Sequence, residues 1–132
     1  MRVAVLVLDG VFDSGLAAVL DVLQCANELR GRLPQPPPAW QVTSIGFTDA
    51  VRTGAGHAVS TAPVDRAADC DLLLVPAVAE RRTDQLVRHV TGPATAPARE
   101  LLARARAPAA PGAAGRFHRQ LRVDDPRSST YG

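Results

Sequence analysis

The sequence predicts an α/β fold, a three-layer flavodoxin-like sandwich built on a mainly parallel sheet. Two short segments have the composition of buried strands: residues 3–8, which are all apolar, and residues 71–75, in which four apolar residues follow Asp71. A segment with helical spacing follows the first run directly, which is the opening of a βαβ unit. The chain has 132 residues, of which 46% are hydrophobic. That length and composition suit one domain of this kind.

The first predicted strand and helix are the clearest elements of the sequence. Residues 3–8 read VAVLVL and end at Asp9-Gly10, where a turn is expected. Asp13 or Ser14 can cap the helix that follows, and Gly31 is a stop signal. The inner positions of this helix recur at helical spacing: Leu16, Val19, Leu20, Leu23, Ala26 and Asn27.

The middle of the chain predicts a loop, a strand and a hairpin. Four prolines make residues 33–39 an extended surface loop. Residues 40–47, WQVTSIGF, read as the second strand. Residues 51–60 place Gly54 and Gly56 between short β-prone stretches, which predicts a hairpin or an excursion from the sheet.

The next segment predicts another buried strand and two helices. Residues 71–75 read DLLLV and stop at Pro76. Residues 82–90 and 94–106 carry apolar positions at helical spacing. Pro97 suits the first turn of the second of these helices, where its missing N–H leaves no bond unmade.

The end of the chain departs from these patterns. Residues 107–132 begin with a linker-like run of Ala, Pro and Gly and then show no clean period. We predict a partial domain over residues 1–106 and a disordered tail over residues 107–132. Residues 81–132 carry a net charge of +6, against −4 for residues 1–80. A solvated arginine-rich face is the favoured interpretation, since the basic half lacks interleaved aromatic residues, and a nucleic-acid surface is the alternative.

The sequence predicts a cytoplasmic protein without a membrane partner, a metal or a cofactor. No apolar run approaches the ~20 residues of a bilayer span, and the start reaches Asp9 too soon for a signal peptide. Cys25 and Cys70 are far apart and show no metal-ligand spacing with any histidine. In a cytosolic chain they are expected to be two thiols rather than a disulfide.

Three residues are candidates for binding a ligand. Asp9 and Asp13 follow the first strand, and ligands of open α/β sheets bind at the carboxyl ends of the strands. The structural alternative is a turn aspartate at Asp9 and a helix-capping aspartate at Asp13. His57 lies in the glycine-rich hairpin, where it either contacts a ligand or is a solvated loop histidine.

Both cysteines are expected to be structural, and no catalytic residue is predicted. Cys25 lies toward the C-terminus of the first helix, where the helix dipole disfavours a thiolate, and we expect its side chain to be buried or half-buried. Cys70 stands between Asp69 and Asp71, whose charges would raise the pKa of the thiol.

Several strings of the sequence resemble one known family. They are DGVFD at residues 9–13, VRTGAG at residues 51–56 and DCDLLLVP at residues 69–76, together with the first strand and helix. In order and spacing they resemble the N-terminal domain of GlxA-like, AraC-type transcriptional regulators. That domain belongs to the DJ-one/PfpI superfamily, which is also called class I glutamine-amidotransferase-like. The resemblance covers residues 3–106.

The resemblance implies a regulator's effector-sensing or dimerisation domain, here truncated and non-catalytic. A small-molecule effector and a second copy are the implied partners, and DNA is contacted only through a separate C-terminal domain. Enzymes of the superfamily carry a cysteine on an elbow that falls just beyond residue 107, where this sequence has none, although Asp13 lies near the family's helix-one acid. The alternative is a small enzyme of the superfamily, a hydrolase or a glyoxalase-like protein. A one-base frame slip over residues 115–123 would restore a strand resembling that elbow, so an out-of-frame tail is a further hypothesis.

Overall fold

The computed structural model describes residues 1–106, which form one sheet, a separate hairpin and three α-helices. Two short 3-10 helices, Val64–Asp69 and Pro93–Thr95, connect some of these elements. In chain order the elements are β1 (Arg2–Leu6), α1 (Asp13–Arg30), β2 (Gln41–Gly46), β3 (Ala50–Arg52), β4 (Ala58–Ser60), β5 (Ala62–Pro63), β6 (Leu72–Leu74), α2 (Thr83–Thr91) and α3 (Ala96–Arg106).

The main sheet has four strands in the order β5-β2-β1-β6, and every pair in it is parallel. Strand β1 lies in the middle, with Val3 beside Val42 of β2 and Leu72 of β6. Helix α1 is the crossover between β1 and β2, as a parallel pair requires. All four strands therefore end at the same edge of the sheet, where the loops after them meet.

Strand β1 is buried on both faces, as its uninterrupted apolar run predicts. Val3 and Val5, with Val7 just beyond the strand, belong to one apolar cluster, and Ala4 and Leu6 belong to the other. Alternate residues of a strand point to opposite faces of the sheet, so one strand supplies both cores. Val5 and Leu6 are completely buried.

The two cores give the molecule its three layers. On one side of the sheet, Leu16 and Leu23 of α1 and Val51 of the hairpin belong to the cluster around Val5. On the other side, Ala98 of α3 and Ala67 of the first 3-10 helix belong to the cluster around Leu6. The α/β sandwich with a mainly parallel sheet is confirmed.

Most predicted elements are confirmed, with one error at the start of α1. Strands β3 and β4 form the predicted hairpin, and Pro97 lies in the first turn of α3. Gly31 is the C-cap of α1. The N-cap is Phe12, and no side chain caps the helix, so the capping role predicted for Asp13 or Ser14 is wrong.

Two short elements were not predicted, and some predictions fall outside the described residues. Strand β5 and the 3-10 helix Val64–Asp69 were not expected, because segments this short show no hydrophobic period. The predicted disordered tail and the frame-slip hypothesis concern residues 107–132, which lie outside the described residues. Within residues 1–106, no helix has both the length and the apolarity to span a bilayer.

Candidate functional site

The loops at the carboxyl edge of the sheet bring the three predicted ligand-binding residues to one place. Asp9 follows β1, and Asp13 is the first residue of α1. In the β3–β4 hairpin, Arg52 at the end of β3 contacts Asp9, and the turn at residues 53–57 contacts Asp13 and carries His57. We refer to Asp13, Thr53, Ala55 and His57 as the Asp13 cluster.

Asp13 accepts hydrogen bonds from three residues of the hairpin turn. Its Oδ2 accepts from Thr53 Oγ1 at 2.6 Å and lies 2.7 Å from His57 Nδ1. Its Oδ1 accepts from the backbone N–H of Ala55 at 3.0 Å. These bonds occupy the carboxylate, so it attaches the hairpin to the start of α1 rather than capping the helix.

The surroundings of Asp13 lower the pKa of its carboxyl group. The hydrogen bond from Thr53 is the largest cause and the one with His57 is the next, and together with smaller contributions they bring the pKa to about 2. Hydrogen bonds to the charged form favour it, which explains the direction. Asp13 therefore carries a full negative charge at neutral pH.

His57 is held at the backbone while its ring faces solvent. Its N–H donates to Thr53 Oγ1 at 3.0 Å, and Thr53 is buried. The side chain is 76% exposed. With Asp13 ionised, Nδ1 carries a proton and donates to the carboxylate. In the neutral ring, Nε2 is then the nitrogen with a free lone pair, which can accept a hydrogen bond or a proton from a ligand.

Asp9 also accepts a hydrogen bond from the β3–β4 hairpin. Its Oδ1 accepts from the backbone N–H of Arg52 at 3.0 Å, and the N–H of Gly10 donates to the Arg52 carbonyl at 2.7 Å. The carboxylate is exposed. This is the geometry of the turn aspartate that the sequence left as an alternative, and Asp9 remains accessible beside the Asp13 cluster.

The loop after β6 packs against the hairpin turn and completes this edge of the sheet. The N–H of Gly54 donates to the Val11 carbonyl at 2.8 Å, and Val11 forms an antiparallel bridge with Val78. A Cβ added at Gly54 would lie 2.3 Å from the Cβ of Ala79. Residue 54 must therefore be glycine for the two loops to approach this closely.

Thr53 and Ala55 were not among the predicted site residues. Thr53 is buried and donates to Asp13, while Ala55 contributes only its backbone N–H. A backbone donor has no side-chain signature, so only the predicted turn at Gly54 and Gly56 could have pointed to Ala55. A threonine in a β-prone stretch is ordinary strand composition, and nothing in the sequence marks Thr53 as a partner of Asp13.

Neither thiol belongs to the Asp13 cluster. Cys25 is exposed, so the prediction of a buried or half-buried thiol is wrong: Cys25 lies on the outer side of α1, away from the sheet. Twelve residues of helix separate it from Asp13, a distance of about 18 Å along the axis.

Cys70 is buried and lies at the opposite edge of the sheet. It precedes β6, whereas the Asp13 cluster follows the carboxyl end of β1. Burial is the main cause that raises the pKa of its thiol, and the charge of Asp71 is a smaller one. The protonated thiol is a poor nucleophile, which agrees with a structural role.

A shallow apolar groove lies at the other end of α1. Its volume is about 250 Å³, and Asn27 and Trp40 are among its lining residues. Asn27 is fourteen residues from Asp13, or about 21 Å along the helix, so the groove is separate from the Asp13 cluster. Among residues 1–106, no group of histidine, cysteine and acidic side chains could hold a metal ion.

The low pKa of Asp13 predicts that the free energy of unfolding falls as the solution is acidified. Because the folded-state pKa of about 2 lies below the ordinary aspartate value of 3.8, the charged carboxylate stabilises the fold above about pH 4. That contribution is lost as the pH falls from about 4 to about 2. We expect Asp13→Asn to flatten the fall of unfolding free energy over this range, measured by urea titration at each pH. Asp21→Asn, an exposed change on the same helix, controls for the loss of one negative charge, and equal slopes in wild type and Asp13→Asn would contradict the assignment.

The fold is similar to solved structures of two kinds of protein. The AraC family transcriptional regulator of Pseudomonas putida matches with a TM-score of 0.51 and 23% identity, covering 68% of this chain and 50% of that one. The putative protease I of Bacteroides thetaiotaomicron matches with a TM-score of 0.51 and 16% identity, covering 76% and 54%. No family model and no curated protein matches the sequence.

These likenesses establish the fold that the sequence resemblance implies. The α/β fold described here is similar to that of an AraC family regulator and to that of a protease I structure. The resemblance to a DJ-one/PfpI-like domain of an AraC-type regulator is therefore confirmed at the level of the fold. The chain spans about half the length of each matched structure.

Proposed function

We propose that this chain is the effector-sensing and dimerisation domain of an AraC-type transcriptional regulator, in a truncated and non-catalytic form. The observation that carries the proposal is the Asp13 cluster at the carboxyl edge of a parallel sheet, where such folds bind small molecules. The fold shared with an AraC family regulator supports the regulatory assignment. The length of the matched structures supports the truncation, since the chain covers 50% of that regulator.

The proposed effector binds at His57 and Asp9, beside the hairpin turn. The His57 ring is exposed and held by Asp13, so it offers a hydrogen-bonding nitrogen in a fixed position. Asp9 offers an accessible carboxylate on the same edge. A small polar molecule that donates to these groups matches their chemistry.

DNA has no proposed contact with this chain. The resemblance places DNA binding in a separate C-terminal domain, and a solvated arginine-rich face is the favoured interpretation of the basic second half. Within the described residues, Arg82 and Arg88 both donate to Asp84, which is the arrangement of a solvated charged face.

Sequencing the gene downstream of the Ala107 codon tests the truncation: a frame that continues into two helix-turn-helix units supports it, and an intact frame with no such continuation contradicts it.

A small enzyme of the same superfamily is the second candidate, and the fold shared with a protease I structure favours it. The positions of the thiols count against it. Both lie far from the Asp13 cluster, so the described residues place no cysteine where Asp13 or His57 could activate it.

The proposal predicts binding without turnover. In a thermal-shift screen of small polar metabolites, at least one should stabilise the wild-type chain, by about 2.7 kcal/mol at a concentration 100 times its Kd. His57→Ala should abolish that stabilisation, and His89→Ala, on α2, should preserve it. Failure of every compound, or full stabilisation of His57→Ala, would reject the site.

The same protein preparations test whether the chain is instead a small enzyme. Methylglyoxal, an ester and an amide substrate should each be left unchanged by the wild-type chain. Turnover that is lost in Cys25→Ser or Cys70→Ser would establish cysteine-dependent catalysis and overturn the non-catalytic assignment.

A further inference from the structure

The shallow groove at the C-terminal end of α1 has apolar walls, and we call it the Trp40 groove. These walls are formed by Leu29 of α1, by Leu33 and Pro37 of the proline-rich loop, and by Trp40 directly before β2. The volume of the groove is about 250 Å³. Sites for drug-sized ligands have volumes of about 300–1,000 Å³, so this groove suits a smaller molecule with an apolar body.

Two hydrogen bonds between Asn27 and Trp40 fix the shape of the Trp40 groove. The side-chain amide of Asn27 donates to the Trp40 carbonyl at 2.7 Å, and its side-chain oxygen accepts from the Trp40 N–H at 2.8 Å. The lining also includes Pro37 and Pro38, whose rings restrict the backbone of the loop. The groove is therefore largely formed before a ligand arrives, and a ligand loses little affinity to ordering the chain.

Arg30 brings a positive charge to the Trp40 groove, and its hydrogen bonds are incomplete. Its Nη1 donates to the Pro37 carbonyl at 3.1 Å. Its Nε is buried and has no hydrogen-bond partner among the described residues. Within residues 1–106, no carboxylate forms an ion pair with this guanidinium. A half-buried charge with an unmet donor costs free energy that an anionic ligand would recover.

The unmet Nε–H of Arg30 lies on the edge of the guanidinium that binds carboxylates through two parallel bonds. Nε and Nη2 point from this same edge and match the two oxygens of a carboxylate. A carboxylate meets Nη2 first, and a small rotation of the flexible side chain turns the buried Nε toward the second oxygen. The C-terminal end of α1 carries about half a negative charge, so an anion is held here by the guanidinium rather than by the helix.

We propose that the Trp40 groove binds a small monocarboxylate with an apolar body, such as a short fatty acid. The carboxylate pairs with the Nε–Nη2 edge of Arg30, and the apolar body packs against Leu29, Leu33 and Trp40. The groove lies about 21 Å along α1 from Asp13, so it is a second site. It does not depend on the sensing role proposed for the Asp13 cluster.

Hexanoate is the probe for this site, and the fluorescence of Trp40 reports its binding. Trp40 is the single tryptophan of the chain, so its emission follows the groove directly. Titrated into the full chain at constant ionic strength, hexanoate should change the emission saturably. We expect a dissociation constant of about 1 mM, as suits a ligand of so few atoms. Acetate has the charge without the chain and hexanol has the chain without the charge, so each should bind about tenfold more weakly or worse.

Substitutions at the groove separate the role of the charge from that of the apolar walls. Arg30→Gln should weaken hexanoate binding about tenfold or more and leave hexanol binding unchanged, because only the carboxylate loses its partner. Arg32→Gln is the matched control, since Arg32 is an exposed arginine two positions further on, outside the groove lining. Leu29→Ser should weaken the binding of both hexanoate and hexanol, because it removes part of the apolar wall. Urea unfolding of each variant shows whether the fold is retained.

Weaker hexanoate binding in Arg30→Gln, with Arg32→Gln unchanged, supports the site. An emission that does not respond saturably to hexanoate, hexanoate binding unchanged in Arg30→Gln, or hexanol binding as tight as that of hexanoate would each overturn it. Trp40 emission that changes with protein concentration alone would show that a second copy occupies the groove, which also overturns the proposal.

His57→Ala distinguishes the Trp40 groove from the Asp13 cluster. This variant should bind hexanoate with the wild-type affinity, because His57 and the groove lie at opposite ends of α1. Loss of hexanoate binding in His57→Ala would assign the ligand to the Asp13 cluster and overturn the groove. Failure of hexanoate to bind leaves the sensing role to be decided by its own thermal-shift and substrate experiments.

Discussion

Leu6→Ala should destabilise the domain by about 2–5 kcal/mol, the largest loss expected from any single truncation discussed for this chain. Leu6 is completely buried on the central strand, in the cluster that Ile45 and Ala98 complete. Removing its three terminal carbons leaves a cavity between β1, β2 and α3, and these elements cannot all move in to fill it. Because a domain of this size is stable by only about 5–15 kcal/mol, the loss is a large share of the total.

The matched control for Leu6→Ala is the same substitution at an exposed leucine. Leu33 lies in the proline-rich loop and is 52% exposed, so Leu33→Ala should change the unfolding free energy by about 0.5 kcal/mol or less. Both values come from urea denaturation monitored by circular dichroism. Equal losses for the two variants would mean that β1 is not the centre of the core, against the two-cluster arrangement described above.

The fold was predictable because β1 has an unusual composition. A run of valine and leucine without a polar residue fits only a strand that is covered on both sides, and such strands belong to parallel sheets with helices on both faces. The first helix was predictable for the same reason, since its inner positions keep one period over about three turns. Neither signal says where the next strands pair, so the order β5-β2-β1-β6 could not be derived from the residues.

The sequence predicted where the candidate site lies, but it did not predict which side chains of the site bond with each other. Asp9 and Asp13 were identified because they follow the central strand, and His57 because it lies in a glycine-rich turn. That the hairpin would bring His57 to 2.7 Å from Asp13 depends on a contact between residues 44 positions apart. No local pattern encodes such a contact. The capping role expected for Asp13 failed for the same reason, since the hairpin offers the carboxylate better donors than the first turn of its own helix does.

The error at Cys25 has a different physical origin. Cys25 lies two positions after buried Leu23 and directly before Ala26, and a thiol that nothing activates was expected to be structural and therefore buried or half-buried. A helix that packs one face on a sheet leaves the opposite face to solvent, and residues two positions apart point in directions about 200° apart.

Gly54→Ala should destabilise the domain by about 1–3 kcal/mol and disturb the Asp13 cluster at the same time. The new Cβ would lie 2.3 Å from the Cβ of Ala79, far inside van der Waals contact, so the hairpin turn or the loop after β6 must shift. A shift of the turn displaces its donors from Asp13: the Thr53 hydroxyl and the His57 ring, which lower the pKa most, and the Ala55 N–H. We therefore expect the pKa of Asp13, followed by NMR, to rise from its value of about 2 toward 3.8.

The double variant Gly54→Ala/Ala79→Gly isolates the cause of the Gly54→Ala effect. The other atoms near the added Cβ, the carbonyl oxygens of Val11 and Gly10, lie at 3.5 Å and 3.6 Å, which is ordinary contact. Removing the Ala79 methyl group therefore relieves the one severe clash, and most of the lost stability and the low pKa of Asp13 should return. Ala79→Gly alone should cost under about 1 kcal/mol, through the added freedom of the unfolded chain. If the double variant is as unstable as the sum of the two single variants, the two residues are not coupled. The close approach of the hairpin and the loop after β6 would then not be what positions the Asp13 cluster.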